Sequence, residues 1–228
     1  MVTPNDTLHS FLVGNGLRKS DEVRRFKSEL VRLTREPFWD SCSKQPPDCS
    51  YFLGNSDIRG SSLAEACERD KIVVSFLSSS TSSNPLNVLR NGINTLLSNL
   101  TRVRELTELL WDQDRISFET YLKMRFSKSK LNFLEVDEKA FSGILPTEQS
   151  LFIDTFKKFE ELGWDRIHID KGLDYKEYHG IIDHRYRYRA KKTCKFRVSR
   201  KFRCHGYRKG NSFVVIGFET DHKSSDKG

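Results

Sequence analysis

The chain has 228 residues, 36% of them hydrophobic and 31% charged, with 39 Lys+Arg against 31 Asp+Glu and a formal net charge of +8. That length admits one large domain or two of ordinary size, and 16 Phe, 7 Tyr and 3 Trp supply apolar surface for a core. No apolar run approaches the length of a spanning helix, the first residues lack a secretory pattern, and five irregularly spaced cysteines make no disulfide framework. A protein of the reducing cytoplasm, with no membrane partner, is the expectation.

Residues 20–36 are predicted to form an amphipathic helix, because Val23, Phe26, Leu30 and Leu33 recur at spacings of three and four before Pro37. A short helix is expected around Leu63–Arg69 and a buried strand at Lys71–Leu77, with an exposed turn after it. Asn87–Trp111 is helical in tone, and Ser117–Phe126 reads as a helix with Phe118, Tyr121, Leu122 and Phe126 on one side. Polar Ser127–Lys130 marks a domain boundary, which divides the chain into residues 1–126 and 127–228.

The second half has sharper periodicity. Leu131–Val136 is a predicted strand, and Pro146–Leu162 carries a helical stripe of Leu151, Phe152, Phe156, Phe159 and Leu162. Gly163 is placed to end that helix in a left-handed conformation. Asp170–His179 reads as a loop. From His184 onward an antiparallel meander is expected, with apolar Phe213–Phe218 as a central strand. Alternation places Phe196, Val198, Phe202 and Cys204 towards the helices. It leaves Arg197, Ser199, Arg203, His205 and Tyr207 on an open, accessible face. The fold class is therefore α+β: a C-terminal antiparallel sheet packed on one face by helices, after a mixed, mostly helical N-terminal domain.

The positive charge is concentrated. His184–Lys209 holds 12 Lys/Arg and no Asp/Glu, so the other 27 basic residues face 31 acidic ones, a net of −4. Aromatic residues are interleaved with these cations. Cations meet phosphates and rings stack on bases, so this composition points to RNA or another polyanion, against the alternative of a solvated strand face.

The segment FRVSRKFRCHGYRKGNSFVVIGFETDHK, following a strand, a helix and a loop, resembles the RelE/ParE superfamily of bacterial toxins over roughly residues 130–225. Many members are ribosome-dependent or free mRNA endonucleases. The resemblance implies that Arg203 stabilises charge, that His222 transfers protons and that Asp221 stands beside it. Lys223 occupies a place where several members carry Tyr. His205 is an alternative base. Phosphate or base contacts are expected from Arg185, Arg187, Arg189, Lys195, Arg197, Arg200, Lys201, Tyr207 and Lys223. Cys194, Cys204 and His205 match no common zinc spacing, so neither metal nor cofactor is expected.

The implied function is a toxin-type endoribonuclease that works without metal by 2′-hydroxyl attack, in growth arrest or defence. Its partners would be RNA, on or off the ribosome, and an antitoxin protein. The alternative is a non-catalytic RNA- or protein-binding module. For the N-terminal domain, restraint or sensing through its acidic surface stands against a generic scaffold.

Overall fold

The computed structural model describes residues 21, 24–29, 44–69, 72–75, 83–126, 129–178 and 192–220. The chain divides into two compact units, with the boundary between Arg115 and Ile116. Each is α+β.

In the N-terminal unit, residues 24–29 are helical with Phe26 fully buried, while the rest of the predicted 20–36 helix lies outside the described residues. The described remainder is built on strands. β1 (Tyr51–Leu53), β2 (Ser56–Asp57), β4 (Leu86–Arg90) and β5 (Ile93–Leu97) form an antiparallel sheet in the order β2-β1-β4-β5. β3 (Val73–Val74) pairs in parallel with β6 (Asn99–Leu100). The predicted short helix is α1, Ser62–Arg69, whose Ala66 packs with Leu86, Val88 and Leu97.

The helical expectation for Asn87–Trp111 is corrected. Only α2, Val103–Asp112, is helical there, and the residues before it form the β4–β5 hairpin and then β6. Asn91 (φ 49°) and Gly92 (φ 79°) both take left-handed conformations, which the two-residue turns of hairpins require and few residue pairs supply so readily. Leu86 and Val88 then fall on the buried face at period two.

The C-terminal unit begins upstream of Ser127 because α3 (Phe118–Arg125) packs into it. Phe118 meets Phe141 and Phe152 edge-on, and Arg125 pairs with Glu160 at 3.0 Å. The Ser117 hydroxyl accepts from the Thr120 N–H and starts α3. α4 (Glu138–Ser142) follows, then α5 (Pro146–Glu161), with Pro at its first turn and Glu148 accepting from the Leu145 N–H. α6 is Trp164–Ile169.

Gly163 does not end α5 in the left-handed region. Its φ is −66°, and it opens α6 instead. The exposed carbonyls at the end of α5 are met by Lys130, whose ammonium donates to Glu160 O at 3.0 Å and to Leu162 O.

Five strands form the second sheet: β7 (Leu131–Asn132), β8 (Lys176–Glu177), β9 (Cys194–Arg197), β10 (Arg203–Lys209) and β11 (Ser212–Glu219), in the order β7-β11-β10-β9-β8. β9, β10 and β11 form the expected meander. β7 runs parallel to β11, so the sheet is mixed. β11 lies between two strands, as its apolar sequence requires. On the helix-bearing face, Phe196 meets Phe159 at 4.6 Å and Phe156 at 6.1 Å, and Phe152 meets Phe202 and Phe218 at 5.4 Å each. This aromatic layer holds α5 against the sheet.

Candidate functional site

The opposite face carries the polar residues. Register places Lys176 opposite Lys195, Lys195 opposite His205, Arg197 opposite Arg203, and Arg203 opposite Glu219. Alternation along β9 and β10 puts Lys195, Arg197, Arg203, His205 and Tyr207 on this one face, as the sequence implied.

Four of these five, Lys195 (9% exposed) among them, are not accessible as expected. Arg203 is 9% exposed, His205 0% and Tyr207 1%. Arg203 donates through one guanidinium nitrogen to Ser199 O (2.7 Å) and Phe202 O (2.9 Å), clamping the β9–β10 turn. The Ser199 hydroxyl accepts the Lys201 and Phe202 N–H groups in the same turn. The Tyr207 hydroxyl donates to the Glu135 carboxylate at 3.0 Å. A pattern of alternation names a face but does not reveal what will cover it.

His205 lies at the centre of a hydrogen-bonded chain. Its Nε2 is 3.0 Å from Glu219 Oε2, and its Nδ1 is 3.0 Å from the Tyr178 hydroxyl. As a carboxylate Glu219 can only accept, so Nε2 carries the proton and Nδ1 accepts from the phenol. Burial lowers the His205 pKa below its usual value and outweighs the upward pull of Glu219. The imidazole is therefore neutral around pH 7. Tyr178 is half-buried, and its ring stacks on the imidazole at 20°.

Cations flank this chain. The Lys195 ammonium lies 4.6 Å from the Tyr178 ring centroid, and burial lowers its pKa. Arg197 reaches Asp174 at 2.7 Å, and Lys176 reaches the other oxygen of the same carboxylate at 2.9 Å. Burial acts to raise the Asp174 pKa, but Lys176, Arg197 and Arg203 together leave it lowered. Lys201 and Arg200 are exposed in the turn. Cys204 is fully buried on the helix-bearing face, where desolvation pushes its thiol well up and removes it from ionic chemistry near neutral pH.

The structure thus brings together Lys195, Arg197, Arg203, His205 and Tyr207 on one face, with Arg200 and Lys201 at its turn. Arg185, Arg187, Arg189, Asp221, His222 and Lys223 lie outside the described residues, as do the predicted strand alternations around Tyr186 and Tyr188. Sequence reasoning missed Tyr178, Asp174, Lys176 and Glu219. Glu219 had a signal: it is the one acidic residue of an otherwise apolar strand, Ser212–Glu219. Tyr178 had none, since it sits in a segment read as a loop. No known protein family, curated protein or solved structure matches this chain.

Proposed function

We propose that the C-terminal unit binds RNA at the exposed edge of the basic face, along β8 and the β9–β10 turn, where Lys176, Lys192, Arg200 and Lys201 reach solvent. The observation that carries this reading is the register. Two like-charged pairs, Lys176 with Lys195 and Arg197 with Arg203, stand directly opposite one another on adjacent strands. Like charges in that relation destabilise a sheet; Asp174, one carboxylate shared by Lys176 and Arg197, offsets part of the repulsion, and a polyanion at the exposed edge offsets more. Lys192 and Lys201, with side chains 85% and 63% exposed, extend the positive surface to solvent.

The test is binding of a single-stranded RNA across a salt series. Affinity that falls steeply with salt supports the reading, and binding indifferent to salt refutes it.

A second reading, a toxin-type endoribonuclease acting with or without the ribosome and held in check by an antitoxin protein, is favoured by the Tyr178–His205–Glu219 chain. Wiring of that kind serves proton transfer. In this reading the 2′-hydroxyl attacks the neighbouring phosphorus, and product ends carry 2′,3′-cyclic phosphate or 3′-phosphate. Phosphate contacts then fall to Lys176, Arg197, Arg200 and Lys201 rather than to the buried Arg203. Mapping of RNA ends after incubation with the purified chain tests it.

A further inference from the structure

We propose that Tyr178 is the nucleophile of a phosphodiester-transfer site, activated by His205 and oriented through it by Glu219. The proposal rests on the reading that this face binds nucleic acid. It replaces 2′-hydroxyl attack with attack by the protein.

The geometry is that of a nucleophile, a base and a carboxylate in line. The phenol oxygen is 3.0 Å from Nδ1, and Nε2 is 3.0 Å from the carboxylate. Those two distances and that order are what activation of a hydroxyl by histidine requires, whatever the fold that supplies them. His205 and Glu219 come from neighbouring strands and are fully buried, so the base and the group behind it are fixed. Tyr178 is the one member of the three that is partly exposed. Its backbone N–H donates to Thr193 O at 2.9 Å, which pins it beside β9.

Charge around the phenol suits the reaction. The Lys195 ammonium above the ring favours the phenolate over the phenol. Register places the exposed Lys176 beside the buried Lys195 on this face, where the Lys176 ammonium can turn from Asp174 to the non-bridging oxygens of a phosphate. A histidine kept for packing alone has no need of a buried carboxylate behind it, because an apolar side chain fills the same volume without desolvating a charge.

The step balances without any redox partner. The Tyr178 proton passes to Nδ1 of His205, and the imidazolium is stabilised by Glu219. The phenolate oxygen forms a bond to phosphorus, and the bond from phosphorus to one ribose oxygen breaks. The leaving alkoxide takes a proton from water, and His205 returns its own to solvent. One product is a fragment with a free hydroxyl, and the other is a phosphotyrosyl-linked strand that water later releases.

The experiment incubates the purified full chain with randomised single-stranded RNA and DNA pools, labelled at either the 5′ or the 3′ end. The expected result is a labelled species that stays with the protein under denaturing conditions, for one end label only. Peptide mass then places the nucleotide on Tyr178. Tyr178→Phe keeps the ring but leaves Nδ1 of the buried His205 without its donor, so the unfolding midpoint falls while the chain still folds and binds, and the adduct disappears. His205→Gln slows adduct formation by about 100-fold or more, the range expected when a general base is removed.

Binding without an adduct in the parent chain, or an adduct that survives Tyr178→Phe, overturns the proposal. Cleavage to 2′,3′-cyclic ends with no adduct also overturns it and leaves the 2′-hydroxyl route standing. Failure to bind either pool brings down the nucleic-acid reading and this proposal with it.

Discussion

His205 Nε2 and Glu219 Oε2 lie 3.0 Å apart across β10 and β11, and neither side chain is exposed to solvent. Burial nonetheless lowers the histidine's pKa, so desolvation wins over the carboxylate's attraction. The unfolded chain then binds the proton more readily than the folded one. Stability contributed by this group is complete above the unfolded value near 6.5 and declines as pH falls below it. The unfolding midpoint is expected to drop between pH 7.5 and 5.5, and His205→Gln is expected to flatten that decline. A midpoint that rises on acidification contradicts the assignment of a neutral His205.

Glu219→Ala removes the acceptor for the Nε2 proton and leaves a buried donor unsatisfied. Such a group costs about 1–3 kcal/mol. Urea unfolding at pH 7.5 measures it. Loss of the carboxylate also removes the upward pull on His205, so the imidazole should stay neutral to a lower pH than in the parent. Titration followed by NMR checks the direction.

Lys130 joins the start of β7 to the end of α5 by donating to two helix carbonyls. Burial lowers its pKa, yet the charged form has partners in place. Lys130→Met keeps most of the stem and deletes the donor. The expected loss is about 1.5–3 kcal/mol, the usual worth of hydrogen bonds to a charged group. Denaturant unfolding measures it, and an unchanged midpoint means the two carbonyls are satisfied without the ammonium.

Gly206 sits at the register shift between β10 and β11. A Cβ there would press on Val214 O and lie 2.5 Å from the Phe213 ring. Gly206→Ala therefore forces apart a paired backbone and a packed ring. Overpacking of this kind costs about 1–3 kcal/mol. The measurement is thermal unfolding of the variant, and a neutral result shows that the bulge relaxes freely.

For RNA binding, Lys192→Ala with Lys201→Ala is the cleanest pair. Their partners, Glu177 and Glu148, are distant at 3.7 and 3.9 Å, so stability should change by no more than about 0.5 kcal/mol. The slope of log affinity against log salt should shrink by about 0.7 for each phosphate that is no longer neutralised. An unchanged slope places the RNA elsewhere on the molecule.

Local chemistry determined much of this fold. The Phe152, Phe156 and Phe159 stripe settled α5, because side chains at those spacings share one face of any helix. The Lys209–Ser212 reversal and the alternation on either side of it settled the β10–β11 hairpin. The Asn91–Gly92 hairpin was equally legible, since that dipeptide has its own conformational preference, but helical residues downstream obscured it.

Burial and partnership were decided only by the tertiary structure. His205 meets a tyrosine 27 residues away, and Tyr207 meets a glutamate 72 residues away. Such pairings depend on loops whose course no residue periodicity encodes. Alternation placed Arg203, His205 and Tyr207 on one side of a sheet, and only the tertiary structure determined that these three are buried. Desolvation then changed what those residues can do. Buried Arg203 became a clamp on its own turn, and buried His205 became a neutral base behind Tyr178.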